Sequence, residues 1–171
     1  MTPEDRRVIL SLVFVPGRGR EGSPEDVLRH FGTADGRALG LSLGRDAAER
    51  HDELDLETAL IVCHTFGFGM EHLALLVPLC STDWHHSHEN VVSMLGELRT
   101  PAAVDALYQA TQWVPAYLDF DESRALATKA IWALGNTPGP EAEQALIRLL
   151  RSDSEIVRQG AQAQLTRRAK H

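Results

Sequence analysis

No stretch of this 171-residue chain runs to about eighteen consecutive apolar residues, which removes a transmembrane helix. The N-terminus, Met1-Thr2-Pro3-Glu4-Asp5, is acidic before it is basic, and no small-residue cleavage pattern follows its short apolar run. A secretory leader is not expected, and the chain reads as cytoplasmic. Cysteine is scarce: Cys63 and Cys80 make neither a disulfide framework nor a metal motif, and read as small buried hydrophobes in a reducing compartment. Lysine is rarer still for a chain with 17 basic residues, Lys129 and Lys170 being the only two. The preference for arginine is the mark of a GC-rich bacterial genome. With 24 acids the formal net charge is −7, a poor start for a protein that must neutralise phosphates, so nucleic-acid binding is disfavoured. Motifs of catalysis are lacking as well. There is no serine elbow and no defensible carboxylate pair. The letters Gly17-Arg18-Gly19-Arg20-Glu21-Gly22 follow no convincing strand, so they make a linker and not a phosphate loop.

What the chain does have is helix punctuation. Thr2-Pro3-Glu4-Asp5 and Ser23-Pro24-Glu25-Asp26 each combine a capping residue, a proline at the first helical position and acids in the first turn. Residues 8–15 are β-branched and nearly continuous, which leaves a strand as an alternative to the helix the cap favours. Gly32 closes the second helix. Asp35-Gly36 opens another, with Leu39, Leu43 and Ala47 on one face. Asp52-Glu53-Leu54-Asp55 caps a helix carrying Leu60, Ile61, His64 and Phe66 that Gly67 and Gly69 break. Residues 71–80 are apolar almost all round, which predicts a central helix kinked or stopped at Pro78.

The decisive pattern lies further on. Leu95-Gly96, Pro101 and Ala106-Leu107 recur thirty-nine residues later as Leu134-Gly135, Pro140 and Ala145-Leu146. That period fits one helix–turn–helix unit of a helical solenoid. In this reading Leu closes the first helix on the core, Gly supplies its left-handed C-cap, Pro starts the second helix, and Ala lets the pair approach. A partial third copy begins at Ser152, where Ser152 and Glu155 read as a capping box, and continues through Ile156, Val157, Ala161 and Leu165. After Arg158 no acid follows, and Arg167, Arg168 and Lys170 read as cations complementing the last helix's own C-terminal dipole.

Ala130-Ile131-Trp132-Ala133-Leu134-Gly135, Pro140-Glu141-Ala142, Ala145-Leu146, Leu149-Leu150 and Val157-Arg158 resemble the HEAT-like repeats of the phycobilin lyase group, over roughly residues 87–165. The resemblance implies an all-α superhelix, a short solenoid of antiparallel helix pairs. Residues 1–52 would be divergent helices capping the array and 53–171 the repeats, in one domain. It implies no lyase activity, because stacked helices of this kind serve unrelated tasks.

Candidate sites follow. His85, His86, His88 and Glu89 crowd three imidazoles and a carboxylate into five residues, the ligand types of a divalent metal site. Neighbouring positions diverge on a helix, however, and a solvated turn before a helix capped by Ser87 is the plainer expectation. Deoxyhypusine hydroxylases, HEAT-like enzymes, hold two irons with His-Glu pairs on successive first helices. Here His88-Glu89 is one residue out of that register, and its counterparts Ala127 and Thr128 cannot ligate. His64 and His72 read as core or boundary residues, and Cys63 beside His64 points too far round the helix to form a nucleophile–base pair. Trp113, Tyr117 and Phe120, beside Asp119, Asp121 and Glu122, either seal an inter-repeat loop or line an interface.

The function expected is a non-enzymatic protein-binding scaffold or adaptor without cofactor, a monomer whose partner is another protein. Its surface would use His72, Asp105, Gln109, Trp113, Tyr117, Phe120, Glu141, Gln144 and Arg148. A bacterial toxin-immunity or inhibitor protein is one form of this, its acidity matching a basic toxin. The alternatives are a metal-dependent or lyase-like enzyme using residues 85–89, and DNA binding by a concave face like that of HEAT-like glycosylases.

Overall fold

The computed structural model describes residues 1–170. They are almost entirely α-helical and contain no sheet, only an isolated antiparallel bridge between Val15 and Gly19. The chain divides into two compact units, Met1–Leu75 and the remainder from Leu76. Residues 53–75 therefore group with the N-terminal helices.

The first unit holds α1 (Pro3–Leu10), α2 (Pro24–Phe31), α3 (Gly36–Arg50) and α4 (Glu53–Phe66). Both expected caps form as reciprocal boxes, Thr2 with Asp5 and Ser23 with Asp26, and Gly32 takes the left-handed C-cap. Residues 8–15 resolve into a helix ending at Leu10, and Val13, Phe14 and Val15 are exposed beyond it. The following segment is a tight turn and not an open linker. Val15 and Gly19 exchange both backbone hydrogen bonds at 2.9 Å, and the Glu21 and Gly22 N–H groups donate to the Ser11 carbonyl.

Ile9, Leu12, Val27 and Val62 form the core of this unit, with Leu39 and Leu43 half-buried at its edge. The tightest pairing is α3 on α4, and glycine makes it possible: Gly36, Gly40 and Gly44, one turn apart, are the buried stripe of α3. A Cβ on Gly40 would lie 2.9 Å from Cys63 Sγ and 3.2 Å from its backbone nitrogen. This is close backbone approach, the physical use of a small residue in a helix interior.

After a 3₁₀ turn at Met70–His72 comes α5 (Leu73–Leu79), which crosses the division between the units. It is shorter than residues 71–80 and ends one residue past Pro78. Leu75, Leu76, Leu79 and Cys80 are buried, while Ala74 and Pro78 face solvent.

The second unit contains α6 (His88–Leu98), α7 (Val104–Gln112), α8 (Ala125–Asn136), α9 (Pro140–Leu149) and α10 (Glu155–Arg168). Helix α8 is its centre and packs on all four others, while α10 also packs on α9. Leu95 and Leu134 occupy matching, fully buried positions on α6 and α8, as do Leu107 and Leu146 on α7 and α9. Pro140 opens α9, and Pro101 opens a 3₁₀ turn that leads into α7.

The repeat glycines do something other than cap. Gly96 and Gly135 sit inside α6 and α8, and α6 ends three residues later on Arg99, itself left-handed at φ 47°. A Cβ on Gly96 would fall 2.8 Å from the Ala133 Cβ and 3.3 Å from its Cα, and one on Gly135 would collide with the Gln164 side chain. Each glycine thus admits the helix packed on it, α8 against Gly96 and α10 against Gly135. The expected capping box at Ser152 and Glu155 is also absent. The N-cap is Ser154, and the Glu155 carboxylate instead accepts from Arg158 and Gln159.

One outcome tests this assignment. Gly96→Ala should cost about 1–3 kcal/mol, although alanine is the better helix former, because α6 and α8 must separate. Ala133→Gly in the same chain should return part of that loss. Chemical denaturation of the single and double variants measures both.

Candidate functional site

The first candidate is the histidine-rich turn. Helix α5 stops at Leu79 and leaves carbonyls without helical partners, and His85 folds back beneath them. Its Nε2–H donates to the Leu79 carbonyl at 3.0 Å, while its Nδ1 accepts the Ser87 N–H at 3.1 Å. His88, the first residue of α6, repeats the arrangement. Its Nε2–H donates to the Thr82 carbonyl at 2.7 Å, and its Nδ1 accepts the Tyr117 hydroxyl at 3.0 Å. The two rings stack with centroids 4.2 Å apart, and Trp113 and Trp84 pack their edges against His88 and His85.

Both imidazoles are fully buried, so the expectation of a solvated turn fails for them. His86 is the exposed member and lies against Tyr117. Ser87 is the N-cap of α6 by position but contributes no side-chain cap. Burial, reinforced by the neighbouring His88, pushes His85 down to about 4; burial lowers His88 too. With the hydrogen-bond partners fixing both rings as neutral Nε2–H tautomers, neither keeps a free lone pair for a metal or a substrate proton. Glu89 is paired with Lys129 at 2.7 Å. Among the described residues, no group of three or more His, Cys, Asp or Glu is placed to hold a metal ion.

The other singled-out residues scatter. His72 is buried, with its Nδ1 facing the Gly69 N–H at 3.3 Å, so it belongs to no surface. His64 is exposed, its ring edge against Phe68, not a core residue. Cys63 and Cys80 are buried free thiols that burial pushes up to about 12, which makes them inert. Asp105 and Gln109 on α7 and Glu141, Gln144 and Arg148 on α9 are all exposed, on two helices that touch. Trp113 and Tyr117 are committed to the histidine cluster, whereas Phe120 is 83% exposed. The aromatic segment therefore divides: two rings seal and one faces solvent.

A second candidate lies along α6, α8 and α10. Between α8 and α10 opens a cavity of about 610 Å³ bordered by Arg99, Asn136, Glu143, Arg167 and Arg168. A smaller one of about 280 Å³ continues between α6 and α8 past Lys129, Trp132 and Glu97. Arg99 and Asn136 border both, so the two form one groove. Trp132 stands half exposed within it, with the Arg167 guanidinium 5.2 Å from its ring centroid and hydrogen-bonded to Asn136 Oδ1 at 2.6 Å.

Arg168 corrects the expectation about the terminal cations. Its Nη1 reaches the Leu134, Gly135 and Thr137 carbonyls and its Nη2 the Gly139 carbonyl at 2.9 Å. It caps the C-terminus of α8, not that of its own helix. Sequence reasoning missed the groove because Trp132, Arg99 and Arg167 come from three helices. The only signal available was an outward tryptophan in a helix otherwise patterned for burial.

None of the curated proteins and none of the solved structures matches the chain. Residues 126–152, running from α8 to just past α9, do match one family, the PBS lyase HEAT-like repeat, and the resemblance to such repeats is shown over that segment.

Proposed function

We propose that the chain is a non-enzymatic scaffold, a short α-α solenoid that binds a protein segment in the groove along α6, α8 and α10. The observation that carries this reading is Trp132. An indole left half exposed in an open groove, with an arginine stacked on it, is the residue pairing that dominates protein interfaces. The larger cavity that adjoins it, about 610 Å³, falls in the range of binding clefts. The ring nitrogens of His85 and His88 are spent on structural hydrogen bonds, which favours binding over chemistry at that turn. An inhibitor or immunity protein is one form such a scaffold takes.

Affinity isolation from the native host tests the reading. A partner retained by the wild-type chain should be lost at least about tenfold with Trp132→Ala, the loss of a central aromatic anchor. It should be retained with Gln144→Ala on α9. The reverse pattern would move the binding surface to the second helices and overturn the groove.

A further inference from the structure

Resting on that reading, we propose that the occupant of the groove is an acidic segment of a partner protein, with carboxylates on Arg99 and Arg167 and an apolar side chain on Trp132. The chain as a whole is acidic, so its net charge points to a basic partner; the groove departs from that average. Arg99, Arg167, Arg168 and Lys129 border it, against Glu97 and Glu143.

These groups are not equally available. Arg168 is spent on the α8 carbonyls and Lys129 on Glu89. Arg99 has no ion pair among the described residues and occupies the lip shared by both cavities. Arg167 donates one hydrogen bond from Nη2 to Asn136; among the described residues its Nη1 makes none, and its Nε–H is buried out of a ligand's reach. Two guanidiniums with donors to spare thus share the groove with a half-exposed indole. Guanidinium is the group that pairs with carboxylate in a two-bond fork, and a flat ring in the same groove suits an apolar side chain.

The same arrangement disfavours a nucleic acid. A phosphate backbone presents charge without interruption, and Glu97 and Glu143 would oppose it along the groove. A peptide chooses where its charges fall, so acids alternating with apolar residues satisfy the arginines and avoid the glutamates.

The full chain can be titrated with three fluorescent probes: a peptide of about twelve residues alternating Glu and Phe, the same peptide with Gln for Glu, and an oligothymidylate of equal length. The acidic peptide is expected to bind, to weaken as salt rises, and to shift the Trp132 indole and Arg167 Nε–H resonances. Changing Glu to Gln in the peptide, or Arg99→Glu in the protein, should weaken it roughly tenfold or more. Arg99 is exposed and has no ion pair among the described residues, so R99E should fold; R99K, which keeps the charge, should retain most of the binding. Equal binding of the neutral peptide, a stronger response to the oligonucleotide, or no response to any probe overturns the acidic assignment. If a native partner still depends on Trp132 in that case, the scaffold stands and only its ligand class falls.

Discussion

Asp55→Ala should lower the stability of the first unit by about 3–5 kcal/mol, the expected consequence of removing one member of a buried ion network. Asp55 is fully buried on α4. Its Oδ2 receives the Met1 ammonium and Arg50, both at 2.5 Å, and its Oδ1 receives Arg6 at 2.6 Å. This carboxylate ties α1 to the α3–α4 pair. Without it three cations are drawn together with nothing between them. Burial by itself would raise the Asp55 carboxyl, but the ammonium, Arg50 and Arg6 together overcome it and hold the group at about 2.

An unfolded aspartate titrates near 4, so this contribution is complete above that pH and is lost as the pH falls towards 2. Trp84, Trp113 and Trp132 all lie in the second unit, so tryptophan fluorescence is the wrong probe. Amide hydrogen exchange in α3 and α4 is the appropriate measurement, with exposed Glu57→Ala as the control. Unchanged protection in the Asp55 variant would remove the network from the account of the fold.

The second large effect belongs to His85. Its folded form stays neutral down to about 4, while an unfolded histidine takes up a proton near 6.5. Acid therefore favours the unfolded chain. The contribution is intact above about 6.5 and falls by roughly 1.4 kcal/mol per pH unit below it, reaching on the order of 3 kcal/mol by pH 4. His88 adds a change in the same direction. The cluster holds segment 113–118 through Tyr117 and Trp113. Here fluorescence is informative, because Trp84 and Trp113 touch the two rings. Denaturation should show a steep loss between pH 6.5 and 4.5 in the wild type and a shallower one in His85→Gln. Nitrogen shifts of the His85 ring should report the Nε2–H tautomer throughout. An imidazolium signature near pH 6 would contradict the assignment.

Local rules were legible where they were satisfied locally. The caps at Thr2 and Ser23 close within a single turn, so spacing alone placed them. The helix pairs at 95–107 and 134–146 were readable because burial imposes a period, and Leu95, Leu107, Leu134 and Leu146 are all buried. Legibility failed wherever a side chain has two plausible partners. Asp55 follows Asp52 in an ordinary capping motif; Asp52 caps and Asp55 is buried, a difference set by Arg6 forty-nine residues earlier. His85 and His88 looked solvated because histidines in a turn usually are. Carbonyls freed at the end of α5 and a hydroxyl from Tyr117 made burial affordable.

The amino-acid pattern by itself thus determined the helical class, most helix starts and the repeated pair, because capping and amphipathic period act over a few residues of contiguous chain. Tertiary packing alone decided what the repeat glycines are for, which acid is buried, where Arg168 points, and that Trp132 shares a groove with Arg99 and Arg167. Each of those outcomes depends on which helix lies opposite, and a helix carries no local record of its neighbour.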